Sequence, residues 1–228
     1  MNTRIHHHSL FADPAARMLT LLGMAFFVFW ACAPMMSAPP SPPMASAEYG
    51  EINHGGNVGI LDEKGFDPNH PSPMQPMVNY QLAMRRPVGG QSGNEFGTLI
   101  QLGWPSIISG GGYYRMKFVG GEKTYIGGQA SLGLFWAGVG LPMAFKVSDK
   151  VWLTTHPGIR GSLMHFVHMP LGLSWELGES NRLDTEIGGM LVGRKEGDPL
   201  SGYAGYIGVN FSQELGKRRR DKAAASAQ

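Results

Sequence analysis

The stretch Ala-Gly-Val-Gly-Leu-Pro-Met-Ala-Phe-Lys-Val, residues 137–147, decides the fold class. Its larger apolar side chains stand two residues apart, at Val139, Leu141, Met143, Phe145 and Val147. Side chains two positions apart share one face of a strand, whereas on a helix they diverge to opposite sides. The stretch therefore predicts a β-strand with one apolar face and one face of small or polar residues.

The same period of two recurs along the C-terminal part of the chain. Turn residues at 148–150 and 178–182 join successive strands, and connections this short exclude a parallel sheet, which needs long crossovers. The pattern predicts an all-β fold that is either an antiparallel barrel or a sandwich. We expect an antiparallel up-and-down β-barrel of about eight strands, within a range of eight to ten. The eight predicted strands are 97–104, 112–119, 123–134, 136–147, 151–160, 163–177, 183–194 and 203–215. Residues 77–88 form a ninth candidate.

The two faces of these strands differ in polarity, and this difference indicates whether the barrel is surrounded by lipid or by water. The apolar face is bulky and nearly free of charge, whereas the other mixes glycine with both charge signs. A membrane barrel turns its apolar face outward, and a soluble lipocalin-like barrel turns it inward. We expect the membrane arrangement and keep the lipocalin-like one as the alternative. The charges expected on the lumen face are Arg115, Lys117, Lys146, Arg160, Glu176, Asp184, Glu186, Arg194 and Glu214. Aromatic residues near strand ends are expected to form interfacial girdles, with ordinary sheet packing as the alternative: Trp104, Tyr125, Trp136, Trp175 and Tyr203.

Composition agrees with an exported β protein. Glycine supplies 33 of 228 residues and charged residues only 16%, which suits short strands and tight turns. The net charge of +2 gives no field that would favour nucleic acid. Residues 18–31 are apolar and follow Arg4 and Arg17, but they fall short of the about 20 residues that span a bilayer. We interpret residues 1–31 as a signal peptide.

Two processing sites compete in the next segment. Ala31-Cys32 matches the end of a lipobox, so Cys32 is a candidate for lipidation, while Ala45-Ser46-Ala47 fits a general signal peptidase. Proline and glycine are frequent over residues 32–76, which we expect to be a disordered linker. The barrel is expected over 77–215, and the basic, alanine-rich residues 216–228 are expected to form a disordered tail.

Residues 97–215 resemble the small, eight-stranded outer-membrane proteins of bacteria. In that family the last strand commonly ends the chain on an aromatic residue that the assembly machinery recognises. Tyr206-Ile-Gly-Val-Asn-Phe211 resembles this signal, although residues 212–228 follow it. The resemblance implies a location in the outer membrane, with the lipid bilayer as partner and a structural, adhesive or minor transport role.

No catalytic motif, cofactor loop or metal-ligand cluster is evident in the sequence, so we expect no enzyme activity and no cofactor. Some barrels of the resembling class modify lipids with a serine and a histidine, for which His156, Ser162, His165 and His168 are the candidates here. A metal site at His54, Asp67 and His70 lacks close spacing, and solvated loop residues are the simpler interpretation. A small apolar ligand is expected only for the lipocalin-like alternative, and a protein partner is not indicated.

Overall fold

The structure is a computed structural model that describes residues 50–62, 74–88, 93–104, 108–133, 136–161, 165–178, 180–193 and 202–215. Within these ranges the regular structure is entirely β. The strands are β1 (Glu51–Asp62), β2 (Gln75–Pro87), β3 (Glu95–Trp104), β4 (Ile108–Gly120), β5 (Thr124–Gly133), β6 (Ala137–Gly140), β7 (Met143–Ser148), β8 (Val151–Thr155), β9 (Gly158–Gly161), β10 (His165–Glu176), β11 (Asn181–Gly193) and β12 (Gly202–Glu214). The described residues contain no helix long and apolar enough to cross a membrane.

The strands close into one antiparallel barrel. β6 and β7 both pair with β5, so together they form the two halves of one strand of the wall. β8 and β9 both pair with β10 and form the next strand of the wall in the same way. The wall therefore has ten strand positions. Closure is made by β1, which pairs with β12 on one side and β2 on the other. The class predicted from the sequence is confirmed, with ten strands rather than eight.

The two rims of the barrel are named here by their connections. The turn end carries the short turns at 121–123, 149–150 and 177–180, and the loop end carries the longer connections at 63–74 and 194–201. The ten antiparallel strands alternate between these ends.

The predicted linker over 32–76 is wrong for Glu51–Asp62, which form β1. The inward-facing residues of β1 are largely polar, including Asn53 and Asn57, and His54 and Gly56 interrupt the apolar repeat on its outward face. Gly55 and Gly59 lie where a Cβ would meet β12, at Asn210 and Tyr206. The same residues that resemble a linker thus fit a strand that faces a polar, crowded lumen.

The ninth candidate, 77–88, is also a barrel strand, since β2 covers it from Gln75 to Pro87 and pairs with β1 and β3. The other eight predicted strands are present with shifted ends. The predicted strand 151–160 is divided at residues 156 and 157 into β8 and β9. The signal peptide, Cys32, the Ala47 cleavage site and the tail lie outside the described residues.

The apolar face of the wall points outward. Val139, Leu141, Leu171 and Val209 are each more than half exposed, while their neighbours along the strands face the lumen. A belt of this kind must be covered by an apolar solvent, and it matches the exterior of a transmembrane barrel. The lipocalin-like alternative requires these side chains inside and is therefore wrong.

Aromatic side chains divide between the two faces. Trp104 and Tyr203 are exposed near the loop end, as an interfacial girdle requires. Tyr125 is buried and donates its hydroxyl to the carbonyl of Gly93 at 3.0 Å. Trp136 lies under the guanidinium of Arg160 inside the barrel. The girdle expected from the sequence is thus incomplete, because two of its aromatic residues are used to fill the lumen.

Prolines interrupt the hydrogen-bond ladder in adjacent strands. Pro142 separates β6 from β7, and Pro157 separates β8 from β9. Pro170, by contrast, stays within β10, where its carbonyl accepts a 2.6 Å hydrogen bond from the Thr155 hydroxyl. The amide of Leu141 donates to the Pro157 carbonyl at 2.9 Å. These bonds replace part of the ladder that proline cannot support.

Candidate functional site in the barrel lumen

Ion pairs fill the turn end of the lumen. Glu51 and Arg85 face each other on β1 and β2, and Arg85 donates from Nε and Nη2 to the two oxygens of Glu51 at 3.0 and 2.8 Å. Arg85 Nη1 also donates to Glu95 on β3, at 3.2 Å. Arg115 on β4 reaches the same Glu95 carboxylate at 3.4 Å and Gln129 on β5 at 3.0 Å. One chain of ionic contacts therefore crosses four consecutive strands and extends to a fifth.

The same network continues across the β1–β12 closure. Arg182 on β11 donates to Glu51 at 2.8 Å and to Asp184 at 3.1 Å. Asp184 also accepts hydrogen bonds from the Ser212 hydroxyl at 2.8 Å and from the Asn53 amide at 3.3 Å. We call Glu51, Arg85, Glu95, Arg115, Arg182 and Asp184 the turn-end network.

The turn-end network contains three acids and three arginines, so its formal charges cancel. Five of its members are buried, Arg182 is half-buried, and Glu95 is fully enclosed. Desolvating a charge is costly unless it is paired and hydrogen-bonded, and here each carboxylate meets at least one guanidinium. The arrangement braces neighbouring strands on the inside of the wall, with its geometry fixed in part by the bidentate contact of Arg85 with Glu51.

Amide side chains occupy the next layer of the lumen. Gln81 on β2 donates to Asn210 on β12 at 2.6 Å, and Gln101 on β3 donates to Gln81 at 3.2 Å. All three residues are buried. The layer links strands on both sides of β1 without adding charge.

The loop end of the lumen is filled by apolar packing. Side chains from β1, β2, β10, β11 and β12 converge there, and the phenol ring of Tyr206 lies against the backbone of Gly188. Because Gly188 has no Cβ, the ring occupies space that any other residue would take. The members of this apolar cluster are Leu61, Met77, Phe166, Met190, Val192, Ala204 and Tyr206.

Two of the histidine candidates are brought together. His156 lies between β8 and β9, His168 lies on β10, and their rings are 5.7 Å apart inside the barrel. His165 is half-buried on the opposite face of β10, as its odd spacing from His168 predicts. Ser162 lies outside the described residues.

The metal-site hypothesis receives no support from the described part of the chain. His54 is exposed on the outer face of β1, with its ring packed edge-on against Phe211 at 5.9 Å. Asp67 and His70 lie outside the described residues. Among the residues the structure does describe, no three histidine, cysteine, aspartate or glutamate side chains are grouped as metal ligands.

A cavity of about 40 Å³ lies in the lumen wall between β2, β4, β5 and β9. This is room for roughly three water molecules. The lining includes three arginine side chains, of Arg85, Arg115 and Arg160, together with Trp136 and His156. The lumen therefore holds a chamber in which three arginine side chains lie beside largely apolar lining surface.

Sequence reasoning located some of these lumen residues and missed others. Arg115, Arg160, Asp184 and Glu186 are buried in the lumen as predicted, whereas Lys117 and Glu176 are exposed at the turn end. Lys146 and Glu214 are half-buried, and Arg194 is outside the described residues. The missed members are Glu51, Arg85, Glu95 and Arg182. Each stands near a strand end beside glycine, proline or polar residues, so alternation with apolar neighbours gave no signal there.

Comparison with solved structures finds several that are similar to this chain. The chain is similar to Ail, the attachment invasion locus protein of Yersinia pestis, with 10% identity, a TM-score of 0.38, and coverage of 75% of this chain and 100% of that one. It is similar to the translocator domain of the autotransporter NalP from Neisseria meningitidis, with 10% identity, a TM-score of 0.42, and coverage of 90% and 99%. A de novo designed transmembrane β-barrel gives 11% identity, a TM-score of 0.35, and coverage of 79% and 100%.

No protein-family model matches the sequence, and no curated protein is similar to it. The class is defined by the architecture itself. A closed wall of ten antiparallel strands with an apolar exterior and a charged, hydrogen-bonded interior is a barrel of the outer-membrane type.

Proposed function

We propose that the protein is a closed, non-conducting barrel of the bacterial outer membrane with a structural role in the cell envelope. The observation that carries this proposal is the filling of the lumen at both ends. The turn-end network runs along the inside of the wall from β11 past β1 to β4 with direct side-chain contacts at 2.8 to 3.4 Å, and the apolar cluster occupies the loop end. Ions cannot pass through side chains packed in this way unless a paired charge is displaced.

The proposed orientation puts the turn end in the periplasm and the loop end outside the cell. Bacterial outer-membrane barrels combine short periplasmic turns with longer outer loops. Here the turn end has connections as short as Asp149–Lys150, and the two longest connections, 63–74 and 194–201, are at the opposite rim. The loop end would then be the surface available for adhesion, and no catalysis is needed for this role.

Conductance tests the closed lumen. Purified protein inserted into a planar bilayer is expected to give no steady ion current, whereas an open porin inserted by the same procedure conducts. Heat-dependent mobility in SDS gels is measured on the same sample, since a folded barrel migrates differently before and after boiling. A steady ohmic current from protein that shows this mobility shift would contradict the proposal.

Cysteine labelling tests the orientation. Met74→Cys is at the loop end and Asp149→Cys is at the turn end, with Cys32 replaced by serine in both variants. A membrane-impermeant maleimide added to intact cells is expected to label position 74 and to spare position 149 until the outer membrane is opened. The reverse pattern would mean that the barrel has the opposite orientation. Labelling of neither site after the outer membrane has been opened would show that the protein is not in this membrane.

A further inference from the structure

Two hydrogen-bond donors in the lumen cavity have no acceptor. Nη1 of Arg160 and Nε1 of Trp136 are both buried, and neither has a hydrogen-bond partner among the described residues. The Arg160 guanidinium stacks over the Trp136 ring, 5.0 Å from its centroid, and only 8% of Arg160 is exposed. Both atoms can donate and neither can accept, so two residues that line the cavity each carry a buried donor without an acceptor among the described residues.

The charged side chains of the lining are positive, which favours an anion as the acceptor. Arg115 and Arg85 contribute to the lining from β4 and β2, and no aspartate or glutamate is among its residues. Arg85 and Arg115 are already engaged by the carboxylates of the turn-end network, so Arg160 is the cation of the lining that no carboxylate binds directly within the described residues. Glu186 faces the lumen from β11 and attracts Arg160 electrostatically, but it does not line the cavity.

We propose that this cavity binds a small oxyanion, a phosphate or sulfate group, through Arg160 and Trp136. Arginine forms strong, directed hydrogen bonds to tetrahedral oxyanions, and an indole N–H adds a neutral donor that a metal cation cannot use. Arg115 forms part of the wall and increases the positive potential. The cavity of about 40 Å³ accommodates a single group of this size rather than a bulky ligand.

The cavity extends toward the loop end on the side of β4, β5 and β9, whereas the apolar cluster fills the loop end beside β1, β2, β10, β11 and β12. Arg160 precedes the last residue of β9, Ser131 lies two residues before the end of β5, and Gly111 lies near the start of β4. All three strand ends belong to the loop rim. The inference goes beyond the proposed closed barrel, because a site reached from one rim needs no passage through the turn-end network.

Titration calorimetry on the full chain in a zwitterionic detergent tests the proposal, with inorganic phosphate as the probe and chloride at equal ionic strength as the reference. Saturable binding at millimolar concentration or below is expected. Arg160→Gln should weaken it by at least about 10-fold, which is the effect of losing a charged hydrogen bond. Trp136→Phe keeps the ring under Arg160 and removes only the N–H, and a smaller loss of affinity is expected.

Arg86→Gln is the matched control, because Arg86 is exposed on the outer face of β2 and carries the same charge. It should bind phosphate as the unmodified protein does. Heat-dependent gel mobility verifies that each variant is folded, and Trp136→Phe keeps the test decisive if Arg160→Gln does not fold.

Glycerol 3-phosphate distinguishes a free anion from the phosphate of a lipid headgroup. Binding of both ligands with the same dependence on Arg160 supports an open phosphate-group site, and binding of inorganic phosphate alone supports a free anion. Binding of glycerol 3-phosphate alone supports a headgroup. Absence of saturable binding by either ligand would mean that the cavity holds only water, and equal affinity in Arg160→Gln and the unmodified protein would also overturn the proposal.

Discussion

Arg85 and Glu51 face each other across the β1–β2 pair and form a two-point ion pair, with N–O distances of 3.0 and 2.8 Å. The remaining guanidinium nitrogen of Arg85 bonds Glu95, and the remaining contact of Glu51 is to Arg182. The pair is therefore the centre of the turn-end network. It joins strands that are distant in sequence, because β1 begins the described chain and β11 lies near its end.

Replacing Arg85 by alanine is expected to destabilise the barrel by about 3–5 kcal/mol. The substitution leaves Glu51 and Glu95 buried with one fewer cation, and an uncompensated buried charge costs more than the ion pair contributes. The measurement is the free energy of unfolding in urea, with the protein in lipid vesicles. The adjacent Arg86→Ala is the control, because Arg86 is exposed, and its effect should stay within about 0.5 kcal/mol. Equal losses in the two variants would argue against a buried network.

The lipid-facing belt predicts that the effect of an added charge depends on depth. Ile207 is near the middle of β12 and 57% exposed, so Ile207→Arg is expected to cost about 2–4 kcal/mol in a bilayer. Ile108 is the first residue of β4 at the loop rim, and Ile108→Arg should cost no more than about 1 kcal/mol. Urea unfolding of the two variants in the same vesicles gives the comparison. A soluble barrel would tolerate both substitutions, since both side chains would then face water.

The fold class was predictable because the exterior of the wall is uniformly apolar. Apolar residues stand two apart along each strand, as Leu171 and Leu173 do on β10 and Ile207 and Val209 do on β12. Only a strand places residues at this spacing on one face. The interior gives no comparable signal, since Gln81, Asn57 and Glu51 look like loop residues until the strands beside them are known. Many interior contacts join residues far apart in sequence, such as Asn53 and Ser212 at 2.8 Å. Local patterns carry no information about partners at that separation.

The anion cavity was unpredictable for the same reason. Arg160 was expected in the lumen from its alternation, but its stacking on Trp136 depends on how β9 pairs with β6. Trp136 was assigned to an interfacial girdle, because an aromatic residue near a strand end fits that location as well. Burial and hydrogen-bond partners decide between the two, and neither can be read from sequence spacing.

Close packing against glycine predicts a selective effect of added methyl groups. A Cβ on Gly188 would overlap the phenol ring of Tyr206, whereas a Cβ on Gly205 meets nothing within 4 Å. Gly188→Ala is therefore expected to lower the free energy of unfolding by about 1–3 kcal/mol, the usual cost of overpacking. Gly205→Ala should leave it unchanged or slightly raised. Combining Gly188→Ala with Tyr206→Leu should recover part of the loss, and a Gly188→Ala variant as stable as Gly205→Ala would contradict the ring placement.

The β1–β12 closure predicts a specific disulfide. Val58 and Ile207 are directly paired and both point outward, so Val58→Cys with Ile207→Cys should cross-link on mild oxidation, with Cys32 replaced by serine. Val58→Cys with Ile187→Cys is the control, because Ile187 pairs with the far side of Ile207. The Cα atoms of residues 58 and 187 are separated by two strand spacings, about 10 Å, which is beyond the reach of a disulfide. The cross-linked chain should migrate faster on boiled, non-reducing gels, and reductant should abolish the shift. If the Val58–Ile187 pair cross-links as readily, or if neither pair does, residues 51–62 do not close the barrel against β12.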